Sequence, residues 1–185
     1  MAINTKNKTF VEKVNLSIQY RGKVIHNISF LEMAMNAYIA YYFCGDDDKK
    51  MTDMIVLILG DERTSLSSKA QIFHKLAISY DKTWYDSYIS IRKPIDKKVK
   101  FYTMNQDMVY IIEERNVFAH RIFDSGIFTD EELPDDIIRF TRFKNEIQPI
   151  DYDKNKLDEL LQLTINLKNH FEKKLKVMGT YPLSI

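Results

Sequence analysis

Apolar residues recur at helical spacing through the opening part of the chain, at Phe10, Val14, Ile18, Val24, Ile25, Ile28, Leu31, Met35, Tyr38, Ile39 and Tyr42. That interval predicts one long helix over about residues 8–44, with Gly22 tolerated inside it at a cost of about 1 kcal/mol relative to Ala. Ser29 and Glu32 keep a second solution open, a capping box that starts a separate helix there. Gly45 and the run Asp46, Asp47 and Asp48 end the element in either case, the run as a solvated turn rather than a metal site. Residues 51–59 read as a short helix stopped by Gly60. Ser65 then caps a helix whose Leu66, Ala70, Phe73, Leu76, Ala77 and Tyr80 share a face, with His74 partly exposed beside them. The pattern weakens over 81–100, where Pro94 breaks any helix.

Asn105 is the expected cap of the next helix, with Met108, Ile111, Ile112 and Ala119 turned inward. Beyond it the period changes: Ile138, Phe140 and Arg142 alternate with Arg139, Thr141 and Phe143, Lys144 and Asn145 make a turn, and 147–150 return as a hairpin. Asp153 caps a last helix, about 154–177, whose stripe of Leu157, Leu160, Leu161, Thr164, Leu167, Phe171 and Leu175 can bury against the first helix or a second copy of the chain. With five Gly and four Pro, no repeat and no low-complexity linker, the sequence predicts one domain over 1–185. Its fold class is mainly α: a bundle of about four to five helices with a small β-hairpin inserted before the last.

Composition narrows the function classes. The 45% hydrophobic and 29% charged content is that of a folded globular chain. Cys44 is the single cysteine, so neither an intrachain disulfide nor a multi-cysteine zinc site is expected, and the role of a small buried hydrophobe near a helix end suits it. No apolar run reaches the length of a membrane span and the first residues lack the core of a signal peptide, which predicts a cytoplasmic protein without a membrane partner. The net charge of +1 neither demands nor excludes a polyanion. Lys97, Lys98 and Lys100 form a basic cluster, first a solvated loop and second a set of candidate RNA contacts. Trp84 and Tyr85 can stack on bases, although such a pair belongs more often to a core. His26 and His170 lack a ligand one turn away and read as ordinary surface histidines. No metal or cofactor site is expected.

The stretch IIEERNVFAHRIFD, residues 111–124, concentrates polar chemistry at the end of a helix. Asn116 and His120 are four apart and lie about 40° apart on one face, with Glu113 one turn earlier. Arg115 lies about 140° from His120 on an ideal helix, so a wrapped side chain, a loosened helix end or a dimer must bring the two together. His titrates near neutrality and serves as acid or base. Arg presents a fixed fork of donors to phosphate oxygens, and Asn holds an imidazole or a phosphate without competing for protons.

The run Arg115-Asn116-Val117-Phe118-Ala119-His120 resembles the Arg, polar residue, three spacers, His signature of the HEPN superfamily (higher eukaryotes and prokaryotes nucleotide-binding). The surrounding pattern is similar too, with a long first helix carrying Leu31 and Glu32, a helix carrying Lys69, the motif helix, a hairpin and a closing helix. The resemblance implies a homodimeric helical domain acting as a metal-independent RNase of a toxin–antitoxin or phage-defence system. It implies Arg115, Asn116 and His120 as the catalytic set; by their own positions Glu32, which interrupts the apolar face of the first helix, Glu113, one turn before Asn116, and Arg121, directly after His120, are candidate supporting residues. Cleavage by 2′-hydroxyl attack then leaves 2′,3′-cyclic phosphate ends, on an RNA substrate and under an antitoxin or nucleotidyltransferase-like partner. One His per chain is too few for both acid and base, which also favours two chains around a two-fold axis. The alternative is a non-catalytic dimeric module binding RNA, nucleotide or protein, in which Arg115 pairs with Glu32 or Glu113 in a polar seam and His120 answers the helix dipole.

Overall fold

The computed structural model describes residues 5–94, 100–124, 133–134, 137–143 and 146–179. It is a mainly α-helical bundle, with α1 (Thr5–Cys44), α2 (Asp48–Asp53), a π-helical turn (Met54–Leu59), α3 (Leu66–Tyr80), α4 (Lys82–Asp86), α5 (Met104–His120) and α6 (Lys154–Val177). A three-stranded antiparallel sheet, β1 (Ile122–Asp124), β2 (Ile138–Phe143) and β3 (Ile147–Tyr152), stands before α6 in the order β1-β2-β3. Among the described residues the expected four to five α-helices become six: the short helix expected over 51–59 is divided between α2 and the π-helical turn, and α4, with five residues, is too short to leave a periodic signal. The expected hairpin gains β1 as a third strand. The proposed turn at Lys144 and Asn145 lies outside the described residues.

The first helix runs unbroken past Ser29, so the capping-box alternative does not form. Ser65 and Asp153 cap α3 and α6 as expected, their side chains accepting from the amides of Ser68 at 3.1 Å and Lys156 at 2.7 Å. At α5 the cap is Thr103 rather than Asn105. The Thr103 hydroxyl accepts from the Gln106 amide at 3.3 Å while the Gln106 side chain accepts from the Thr103 amide at 2.8 Å, a reciprocal capping box. Gly60 also acts differently from a left-handed stop, since its φ of −79° and ψ of −12° are right-handed. A Cβ there would come within 2.9 Å of the Val56 carbonyl oxygen, so glycine is required by the close approach of the wide π-helical turn.

By its contacts the chain divides into two compact units, Met1–His26 with Glu113–Leu161 and Asn27–Ile112 with Gln162–Ile185. The first contains the sheet. Its core is Tyr20, Val24, Phe118, Ile138, Phe140 and Tyr152, joined by Leu157 and Leu160 from α6. Phe118 of α5 sits 4.9 Å from Phe140 and 5.1 Å from Tyr152, ring centre to ring centre, which seats the motif helix on the sheet. Arg21 of α1 lies over the Phe140 ring and donates to the Arg121 carbonyl at 2.8 Å, satisfying the chain where α5 ends.

The second unit is helical, and its centre is aromatic. Phe73 packs against Tyr38 and Phe171 at 4.9 and 4.6 Å, and Trp84 stacks on Tyr38 at 5.6 Å. Tyr85 is therefore a core residue, and Trp84 beside it is half-buried among these rings. Asp81, between α3 and α4, accepts from the hydroxyls of Tyr38 and Tyr42 and from Lys174. His170 corrects the surface expectation: it is half-buried and stacked on Trp84. His74 is partly exposed, as expected, and meets the Tyr85 hydroxyl at 2.6 Å.

Candidate functional site

The motif residues occupy the last two turns of α5, within the sheet unit. Phe118, fully buried, anchors this part of the helix, while Glu113, Asn116 and His120 on the other side are exposed, with Val117 half-buried among them. The α-helix persists through His120, and the Arg121 amide still donates to the Val117 carbonyl at 3.0 Å. At residue 122 the chain enters β1, which pairs with β2 in a register that sets Ile122 opposite Thr141. This turn from helix into sheet carries β2 alongside the end of the motif helix.

Between them opens a groove of about 930 Å³, lined by Glu113, Asn116, His120, Arg121, Thr141 and Arg142 among others. One imidazole, one amide, two guanidinium groups and two carboxylates, those of Glu113 and Glu114, thus face a common space. Arg142 is exposed, whereas Arg139 three residues earlier is committed to a two-pronged pair with Asp151 at 2.6 and 2.8 Å. Arg121 is half-buried and tied to β3 by donation to the Gln148 carbonyl at 2.8 Å. Glu114, also on the groove wall, accepts a hydrogen bond from the buried Tyr152 hydroxyl. Such a groove can hold an anion against Arg142 and exchange a proton at His120.

The sequence-predicted residues part company at this point. Asn116, His120, Glu113 and Arg121 come together on the groove, whereas Arg115 is not among its lining residues. Arg115 is half-buried, and its Nη1 donates to the Asn116 side-chain oxygen at 3.4 Å, a hydrogen bond to its neighbour on the helix. Glu32 belongs to the helical unit and pairs with the buried Lys69. Lys100 is exposed, also in the helical unit, and Lys97 and Lys98 lie outside the described residues.

Thr141 and Arg142 were not singled out from the sequence. Strand alternation puts Arg142 on the face of Ile138 and Phe140, which suggests cover. The strand is buried on both faces over its first four residues and exposed over its last two, so the end of β2 leaves the core and Arg142 with it. The available signal was position, an arginine next to the turn of a short hairpin.

Among the described residues no group of three His, Cys, Asp or Glu is placed to hold a metal ion, and no helix is long and apolar enough to cross a membrane. No family model, curated protein or solved structure matches this chain.

Proposed function

We propose that this protein is a metal-independent endoribonuclease that works as a homodimer, with His120 as general acid or base and Arg115 stabilising the phosphate in the transition state. The observation that carries the proposal is the exposure of Asn116 and His120 on one face of the last turns of α5, beside a groove that also presents Arg121 and Arg142. In the reaction the ribose 2′-hydroxyl loses its proton to a base and attacks phosphorus. The 5′-oxygen leaves with a proton from an acid, producing a 2′,3′-cyclic phosphate. Guanidinium groups favour the charge that gathers on the phosphoryl oxygens in between. A second copy related by a two-fold axis supplies the second imidazole and brings its Arg115 toward the first copy's His120. The resemblance of the motif to HEPN nucleases supports the same assignment and suggests a toxin or defence role under the control of a partner protein.

One observation favours a second reading. Arg115 does not line the groove and bonds to its neighbour Asn116, so within one chain no arginine of the motif faces the groove beside His120, which fits a dimeric module that binds RNA, nucleotide or protein without cutting. The test is cleavage of total cellular RNA by purified protein in EDTA, with Arg115→Ala and His120→Ala checked for equal folding. Cleavage to cyclic phosphate ends that both variants abolish supports the nuclease. Absence of cleavage, with Arg115→Ala dissociating or melting early, supports the binding module instead.

A further inference from the structure

The π-helical turn Met54–Leu59 is entirely apolar, yet only Leu59 is buried, at 2% exposure. Val56, Leu57 and Ile58 are 62%, 69% and 54% exposed, three consecutive aliphatic side chains held out as a ridge. Scattered exposed aliphatics are ordinary, but a contiguous group is a mark of an interaction surface. The backbone under it is also unusual. The Gly60 amide closes a bond to the Ile55 carbonyl at 2.7 Å, five residues back, and such wide turns gather at functional positions.

The charges around the ridge decide what can cover it. Asp46, Asp47, Asp48, Asp53, Asp61 and Glu62 stand against Lys49, Lys50 and Arg63, which leaves the segment 46–63 with a net charge of −3. Two of its three cations are already engaged inside the segment, Lys50 with Asp47 at 3.0 Å and Arg63 with Asp61 at 2.8 Å. Asp48, Asp53 and Glu62 remain exposed at the two ends of the ridge. An anionic bilayer surface is repelled by this rim, and a two-fold contact through the ridge would set the same excess of carboxylates against itself.

We infer that the Val56-Leu57-Ile58 ridge is a docking surface for a basic amphipathic helix of another protein. Its apolar stripe covers the ridge while Lys or Arg on its flanks meet Asp48, Asp53 and Glu62. This contact is independent of the groove beside α5 and of any cleavage there.

The probe is a synthetic amphipathic helical peptide of leucine and lysine, compared with one of the same pattern carrying glutamate for lysine. Calorimetry measures binding, and amide hydrogen exchange locates it. The lysine peptide is expected to bind, to slow exchange over 54–60 and to weaken as salt is raised; the glutamate peptide is not expected to bind. Leu57→Asp, at a residue already exposed, is expected to weaken the lysine peptide by about tenfold or more, as truncation of a central contact does. Asp53→Asn with Glu62→Gln, which spares the ridge, is expected to weaken it and flatten the salt dependence. The proposal is overturned if the lysine peptide fails to bind, if both peptides bind alike, or if Leu57→Asp leaves binding unchanged. It is equally overturned if sedimentation shows a dimer that Leu57→Asp separates, or if anionic phospholipid vesicles bind wild type but not Leu57→Asp.

Discussion

His170 lies flat against Trp84, the ring centres 4.9 Å apart and the planes 13° from parallel, and its Nε2 is buried without a hydrogen-bond partner. Burial holds this imidazole below its ordinary pKa; a hydrogen bond with the Trp84 backbone opposes the shift and nearby Lys173 reinforces it. The folded protein resists a proton that the unfolded chain accepts near the usual histidine value of about 6.5. The contribution to stability is therefore complete above that pH and is lost as the pH falls through the depressed folded value. Thermal unfolding is expected to show Tm declining as the pH falls below about 6.5. His170→Phe keeps the stack but cannot titrate, so it should flatten that limb, and an unchanged slope would assign the decline to other groups.

Lys69 and Glu32 make the next prediction, for the helical unit. The Lys69 side chain is 5% exposed and Glu32 is its ion-pair partner. Removing one member of a buried pair strands the other, so Glu32→Ala should cost about 3–5 kcal/mol in denaturant unfolding. Glu32 is itself 32% exposed and water reaches its carboxylate, which puts the expectation at the lower end of that range. Replacing both partners with apolar residues, Glu32→Leu with Lys69→Met, should recover most of the loss. A Glu32→Gln variant that folds normally but no longer cleaves RNA would instead give Glu32 a part in the reaction.

The capping of α5 gives a smaller and more local effect. Thr103 and Gln106 satisfy each other's amides, so Thr103→Ala should destabilise the protein by about 1 kcal/mol. Asn105→Ala should change it by a few tenths at most. Chemical denaturation of both variants checks the assignment, and the reverse order of effects would return the cap to Asn105.

The legible parts of the fold were those set by long-range periodicity. The apolar spacing from Phe10 to Tyr42 and the stripe from Leu157 to Leu175 place α1 and α6 within a few residues of their observed ends. The short elements were not legible, because α4 has five residues and β1 three, too few to express a period. His170 was misread because its environment is made by Trp84, far away in sequence, and spacing carries no information on such a pairing. The same limit applies to the groove. Helix periodicity grouped Glu113, Asn116 and His120 and separated Arg115 from them, but Arg142 joins through strand pairing across the segment between β1 and β2.

The separation of Arg115 from the groove leads to the prediction that most directly tests the shared cleft. His120 is exposed, so His120→Ala should leave stability nearly unchanged and lower cleavage by about a hundredfold or more, the scale of a lost acid or base. Arg142→Ala, also at an exposed position, should raise KM more than it lowers kcat if it holds substrate in the groove. Arg115 does not line the groove of its own chain, and the two-fold cleft proposed for the reaction needs the imidazoles of both copies. Diluting wild type with an excess of folded His120→Ala, under conditions that exchange subunits, should then lower the activity of the wild-type chains toward that of the variant. The mixed dimer holds a single intact His120 and lacks either the acid or the base. If exchange is verified and the wild-type chains keep their full activity in the mixture, one imidazole suffices within each chain, and the composite cleft is wrong.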